Sequence, residues 1–321
     1  MLPVLVLVCC IQAALAAEWN CSATSGEYTR STDCVVSSQV VVDDVLSLRG
    51  VVLPSGVLPR LIGGGSNRLF SVESGGNLTI RRLNLTGGNA TIDITANNYN
   101  WGGAVAVYFG HFAAIDSVMT GNIALEGGAL YALYSSVVII NSDIIGNSAR
   151  KGGGLSAVGG TSNGQECSLT FIGSRIIGNN ATSLGGGGFY TQYCVSVFKD
   201  TLIRENLAWA GAGISTEYTG SLLLDNVTVE YNGGSITQYG AIRCIDRNTD
   251  GGSEWNLTIT RSVIQYNEGQ VATHGGGGGL FIYGTIHVVI SETLFQGNKV
   301  NYVGGNSGNE IFTKTRVRNN D

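Results

Sequence analysis

Seven asparagines, Asn122, Asn147, Asn179, Asn206, Asn232, Asn267 and Asn298, recur at intervals of 25 to 35 residues, each preceded by the same chemistry. Three positions earlier stands a large apolar residue: Met119, Ile144, Ile176, Ile203, Val229, Ile264 or Phe295. Five positions earlier stands a hydroxyl residue (Ser117, Ser142, Ser174, Thr201, Ser262, Thr293), with Val227 as the exception. Glycines gather after the asparagine, as in Gly127-Gly128-Ala129, Gly152-Gly153-Gly154 and Gly211-Ala212-Gly213. A unit of this size cannot bury its own apolar face and must stack on its neighbours, so the period predicts a solenoid.

Within each unit, apolar and polar residues alternate with period two, as in Trp255-Asn256-Leu257-Thr258-Ile259. Short β-branched runs broken by Gly, Asn and Ser read as strands, and no stretch carries a useful helical period. Strands that repeat in register turn after turn predict an all-β parallel β-helix of roughly nine to ten turns. The asparagines then form an inward ladder at a tight corner, where an amide both donates and accepts and Asn tolerates a left-handed backbone. The Ser/Thr column predicts a second inward ladder, and the glycines predict corners that exclude a Cβ.

Four segments follow from the chain's composition. Residues 1–16 read as a secretory signal peptide ending in Ala14-Leu15-Ala16, residues 17–60 as a cap and first rung, 61–313 as the repeats and 314–321 as a tail. The expected location is outside the cell or at its surface. No later run offers the roughly eighteen apolar residues of a membrane-spanning helix. Charged residues make up 13% and the formal net charge is −5, so no positive field favours nucleic acid.

A secreted setting gives the cysteines a structural reading. Cys9 and Cys10 leave with the leader, and Cys21 and Cys34 are placed to staple the cap. Cys167 and Cys194 each lie twelve residues before a ladder asparagine, hence one above the other. Stacked strands about 4.8 Å apart fall inside the Cα separations of about 4.4–6.8 Å that a disulfide accepts. Cys244 is left as a buried thiol. Sequons at Asn20, Asn77, Asn84, Asn89, Asn180, Asn226 and Asn256 are candidate glycosylation sites, and none is a ladder asparagine.

The F/I-x-x-N unit with following glycines, seen in Ile144-Ile145-Gly146-Asn147 and Gly127-Gly128-Ala129-Leu130, resembles the repeat of chlamydial polymorphic outer membrane proteins. It is similar also to β-helix proteins of many unicellular eukaryotes. The segment 68–80 resembles their opening rung and 308–312 their closing rung, so the resemblance covers about Leu61 to Phe312. It implies a right-handed β-helix and, in the bacterial members, an adhesive passenger. The outer-membrane barrel of those passengers has no counterpart in this sequence.

Chemistry on the surface is sparse. Lys199 aligns with Asp225 and Arg204 with Glu230, which reads as a ladder of ion pairs. With Arg261, the residues Lys199, Arg204 and Asp225 are the candidate groups if the chain is instead a polysaccharide lyase or glycoside hydrolase. Asp116, Asp200 and Glu292 share a corner position on turns that are not neighbours. His111, His274 and His287 fall at unrelated positions, so no metal site or cofactor is expected. Val138, Val197, Leu223 and Val289, with Ile115, Ile140 and Ile172, form an outward apolar strip that a binding partner or the chain's own loops 156–166 or 243–254 would cover. Tyr131, Tyr190 and Phe281 are expected as exposed aromatics able to stack on sugars. The favoured reading is a non-enzymatic, adhesive or structural extracellular module, whose partners would be cell-surface glycans or proteins. A carbohydrate-active enzyme on the same fold is the alternative.

Overall fold

The computed structural model describes residues 16–52, 54–91, 100–160, 167–218, 220–247, 255–270, 277–301 and 311–314. Residues 1–15 of the expected leader, the ends of both candidate covering loops, His274 and residues 315–321 lie outside that set. Every strand pairs in parallel with its counterpart on the next turn, in four stacked sheets. Sheet A has eleven strands, from Ala17–Glu18 to His287–Ser291. Sheet B has ten, from Cys34–Val36 to Leu294–Gln296, and sheet C ten, from Val40–Val42 to Ile311–Lys314. Sheet D has six, from Ser148–Ala149 to Lys299–Asn301. One turn runs Leu130–Leu133 in C, Ser136–Ile140 in A, Asp143–Ile145 in B and Ser148–Ala149 in D. The next begins in C at Leu155–Val158. This is the right-handed parallel β-helix, with no helix among the described residues.

Alternation decides what each sheet hides. In Ser136–Ile140, Val137 and Ile139 are buried while the residues between them are half-exposed, and this pattern recurs along sheet A. The inward columns merge into one core, in which Phe171 stacks on Phe198 at 4.6 Å and Phe189 meets both edge-on. Burying each such side chain contributes about 1.5–3 kcal/mol, so a column of them holds consecutive turns together. At the N-terminal end Trp19, 1% exposed, stacks on Phe70 and donates to the Ala23 carbonyl, closing the first rung. Cys21 is bonded to Cys34 in this cap.

The asparagine ladder is continuous. From Asn147 through Asn298 each Oδ1 accepts both the backbone N–H and the side-chain amide of the asparagine one turn earlier, at 2.8–3.1 Å. Each Nδ2 also donates to the carbonyl of the large apolar residue of the turn before, as Asn179 does to Ile144 at 2.9 Å. One expectation is corrected here. The left-handed residue is not the asparagine but its predecessor, Gly121, Gly146, Gly178, Glu205, Tyr231, Tyr266 or Gly297, with φ between 54° and 65°. That residue turns the chain so that the amide can point inward while keeping an ordinary backbone.

The hydroxyl ladder works in the same way one corner earlier. Ser142 accepts from the Ser117 N–H at 3.0 Å and Ser174 from the Ser142 N–H at 3.2 Å. Its left-handed predecessors are Asp116, Asn141, Gly173, Asp200, Asn226, Arg261 and Glu292. At the corner from D to C, Gly127 has φ 64°, and a Cβ there would strike the Leu130 carbonyl. Neighbouring turns repeat this with Gly102, Gly152, Gly186 and Gly211.

Candidate functional site

Between its end strands, sheet C differs from its neighbours because both of its faces are buried. Its outward column reads Ser71, Ala106, Tyr131, Ser156, Tyr190, Ser215, Arg243 and Phe281 in register from turn to turn. Tyr131 is 2% exposed, Tyr190 3% and Phe281 1%. The expectation that these rings stand free is therefore wrong, although they do point away from the core. The reason lies at the glycine corner, where bulky side chains fold over the sheet. Trp101 lies on Tyr131 at 4.3 Å, Lys151 on Tyr190 at 4.7 Å and Tyr239 on Phe281 at 4.6 Å.

Small residues between the large ones leave room for long side chains to lie along the column. Arg243 reaches across Ser215 to donate from Nη1 to its Oγ at 2.9 Å and to Glu217 Oε1 at 2.6 Å. The Tyr190 hydroxyl donates to Glu217 Oε2 at 3.1 Å and accepts from Gln192 Nε2 at 2.6 Å. Arg247 approaches Glu217 Oε1, the oxygen that Arg243 also holds, at 3.5 Å with half its side chain in solvent. Arg243 and Glu217 are only 6% and 13% exposed, and Arg243 Nε is enclosed with no acceptor. Around this network lies a cleft of about 380 Å³ lined by Tyr239, Arg243, Ile245, Arg247, Phe281 and Tyr283.

The electrostatics suit holding better than proton transfer. Burial works to raise the Glu217 carboxyl, but the charge and hydrogen bond of Arg243, with Arg247 and the Tyr190 hydroxyl, bring it below its ordinary range. Burial first, and then the Glu217 charge, push the Tyr190 hydroxyl well above its ordinary value. Both groups are thereby moved away from neutrality, where general acid–base chemistry needs them. A second network precedes this one, with Lys151 on Glu126 at 2.9 Å and Glu126 accepting from Ser156.

The residues named from the sequence for an enzymatic alternative do not converge on this groove. Arg261 grips Asp225 through both carboxylate oxygens at 2.6–2.9 Å, at the exposed edge of sheet A. Lys199 is in register with Asp225 there. Arg204, on sheet B, is shared between Glu205 at 2.9 Å and Glu230 at 3.8 Å and lies over the Tyr231 ring. His111 and His287, expected at unrelated positions, in fact occupy one column of sheet A. Six strand spacings of about 4.8 Å separate them, so they do not share a ligand. Among the described residues no group of three or more His, Cys, Asp or Glu is arranged to hold a metal. No helix among them is long and apolar enough to cross a membrane.

The cysteines sit where stacking places them. Cys167 is bonded to Cys194 across one turn, with Cα atoms 4.7 Å apart. Cys244 is a buried free thiol in the column of Ala132, Ala157 and Thr216, and burial pushes it up to about 12. In sheet A, Val138, Val197 and Leu223 are half-exposed and Val289 is 43% exposed, whereas the far ends of their candidate covering loops lie outside the described residues.

Counting back from the asparagines misses Glu217, Tyr239, Arg243 and Arg247. The segment 247–255 lengthens its turn, so Arg243 stands 24 residues before Asn267 while Tyr190 stands 16 before Asn206. Counting forward four residues from the left-handed corner recovers the column: Gly127 gives Tyr131, Gly186 gives Tyr190 and Gly211 gives Ser215. The same step from Tyr239, which takes the glycine's place with φ 61°, gives Arg243.

No family model matches the chain, and no curated protein does. The likeness to the polymorphic outer membrane protein repeat thus stands on the residues quoted for it. Among solved structures, the chain is similar to the A-module of the mannuronan C-5 epimerase AlgE4 of Azotobacter vinelandii, with 13% identity over 90% of this chain and 89% of that one. The TM-score is 0.30, and at that value the likeness carries no argument about function.

Proposed function

We propose that this protein is an extracellular, non-enzymatic β-helix that holds carbohydrate in the groove on sheet C, as an adhesive or structural module. The observation that carries the reading is the buried Arg243–Glu217–Tyr190 network under an open, aromatic-walled cleft. A charged pair enclosed on the outside of a sheet costs desolvation that a merely structural face would avoid with apolar residues. Planar rings at Tyr239 and Tyr283 offer faces for a sugar ring, with Phe281 packed beneath Tyr239, and the half-exposed Arg247 offers hydrogen bonds beside them. Its place on a secreted chain rests on the apolar leader read in residues 1–16.

A carbohydrate-active enzyme in the same groove is the second reading, and the same arginine, carboxylate and tyrosine are the observation in its favour. One experiment separates the two. The purified protein is passed over immobilised neutral and acidic polysaccharides and incubated with them in solution. Retention lost in Arg247→Ala, with no change in polymer length or composition, is the expected result. New chain ends, unsaturated products or epimerised sugars would establish the enzyme instead, and no retention by any polymer would overturn carbohydrate binding.

A further inference from the structure

The seven sequons are not scattered evenly over the prism. Asn77 and Asn256 occupy one outward column of sheet A, and Asn84 the outward column of sheet B. Asn180 lies outward in sheet D, and Asn89 joins that column through Ile123 and Ser148. Asn226 projects from the exposed corner between A and B, and Asn20 from the cap. Sheet C holds none, and its outward column contains no asparagine at all.

We propose that the chain carries N-linked glycans on sheets A, B and D and on the cap, and that sheet C is left bare as the working face. At each site Nδ2 forms a bond to the anomeric carbon of an oligosaccharide donated by a glycosyl pyrophosphate. The bond from that carbon to the pyrophosphate breaks, and an Nδ2 proton is lost as the carrier departs. The strand geometry suits this, because residues two apart point the same way, so the asparagine and its hydroxyl partner share the solvent side. In the two loop sites the hydroxyl already meets the asparagine oxygen, Thr91 on Asn89 at 2.6 Å and Ser22 on Asn20 at 3.2 Å.

Spacing supports coverage without crowding. Asn77 and Asn256 are six strands apart, roughly 29 Å, and Asn89 and Asn180 three apart, roughly 14 Å. A bulky, solvating sugar on three faces prevents lateral association through them. It leaves the one face with a buried polar network and a cleft open to a ligand.

The functional half of this proposal rests on the carbohydrate-binding reading; the modification half does not. The full chain is secreted from a eukaryotic host, and occupied sites are mapped by mass spectrometry after enzymatic deglycosylation in heavy-oxygen water. Occupancy at sequons of all three sheets is expected; a secreted protein without sugar would overturn the proposal. New sequons are then made by single changes, Leu133→Asn at the rim of sheet C and Val118→Asn in sheet B, in register with Asn84. Leu133→Asn should weaken retention on the polymer at least tenfold, with recovery after deglycosylation and no loss in Leu133→Gln. Val118→Asn should leave retention unchanged. Loss with Val118→Asn and none with Leu133→Asn would refute the bare face while leaving polymer binding itself intact. Absence of retention in the unaltered protein would refute the binding reading without touching the glycan map.

Discussion

Asn179→Ala is the sharpest test of the claim that side-chain amides, and not the strands alone, lock the turns together. Asn179 is fully buried. Its Oδ1 accepts from the Asn147 N–H and from Asn147 Nδ2, both at 3.0 Å, and its Nδ2 donates to the Ile144 carbonyl and to Asn206 Oδ1. Truncation removes all four bonds, but their consequences differ. Asn147 Nδ2 keeps the Met119 and Ile145 carbonyls, and Asn206 Oδ1 keeps the Asn179 N–H. The Asn147 N–H and the Ile144 carbonyl lose the partner that reaches them from this side chain. The Ile144 carbonyl stays in a strand paired on both sides, so one orphaned buried N–H at about 1–3 kcal/mol and a small void predict a loss of about 2–4 kcal/mol. Asn180→Ala is the control, one residue on and pointing outward, and should stay within about 0.5 kcal/mol.

Asn179→Asp sharpens the test further because it keeps the shape and removes only the donor. A carboxylate oxygen then faces the Ile144 carbonyl and Asn206 Oδ1, with no cation among the ladder groups. Burial beside acceptors raises the folded-state pKa above the unfolded value of about 3.9. The unfolded chain ionises first, so the deficit relative to the unaltered protein is smallest below about pH 3.9 and grows as pH rises towards the folded pKa. The assay is urea unfolding followed by circular dichroism at pH 3.5 and 7, with hydrogen exchange at the Asn147 amide as the local readout. A loss below about 1 kcal/mol for Asn179→Ala, or equal losses for Asn179→Ala and Asn180→Ala, would refute the ladder as a source of stability.

Three further outcomes are expected. Glu217 is held below its ordinary pKa of 4.5, so the stability it contributes is complete above about pH 4.5 and declines as pH falls through the lower folded value. In acid titrations of the unfolding free energy, Glu217→Gln should flatten that limb, and an unchanged limb would contradict the Arg243 pairing. Cys194→Ala opens the loop of 27 residues closed with Cys167 and should cost about 3.5 kcal/mol by the chain-entropy relation, measured by urea unfolding under non-reducing conditions. Tyr239→Gly should cost no more than about 3 kcal/mol, since relief of about 1–2 kcal/mol at the left-handed position partly offsets ring contacts to Phe281 and Trp209 of about 0.5–1.5 kcal/mol each and a cation–π contact to Arg243 of about 0.5–1 kcal/mol. It should nonetheless abolish retention on the polymer, and retention left intact would remove Tyr239 from the groove.

What the sequence reveals and what it conceals divide along the direction a side chain faces. Inward columns must repeat, because each residue meets the same neighbour one turn up and one turn down. The asparagine ladder, the hydroxyl ladder and the Cys167–Cys194 stacking are therefore visible as spacing alone. Outward columns meet solvent or a corner from another part of the turn, and spacing says nothing of which. Tyr131, Tyr190 and Phe281 illustrate the failure: their direction is right, but Trp101, Lys151 and Tyr239 cover them from positions with no fixed relation to the asparagine.

The groove is best recognised by where the repeat is broken. Five turns place glycine at the left-handed corner before sheet C, at Gly102, Gly127, Gly152, Gly186 and Gly211. The sixth places Tyr239 there at φ 61°, a conformation that costs a bulky L-residue about 1–2 kcal/mol. Four residues on, an arginine replaces the alanine, serine or tyrosine of earlier turns and is buried over Ser215. Beyond it the turn lengthens through 247–255 before the register resumes at Asn256. A left-handed tyrosine in the glycine's place, a buried charge and an insertion thus fall within one turn of the column. A solenoid stabilised by nearest-neighbour stacking gains nothing from any of the three. Their coincidence around a cleft is what a binding site built on a repeat would require, since a ligand must find one turn that differs from the others.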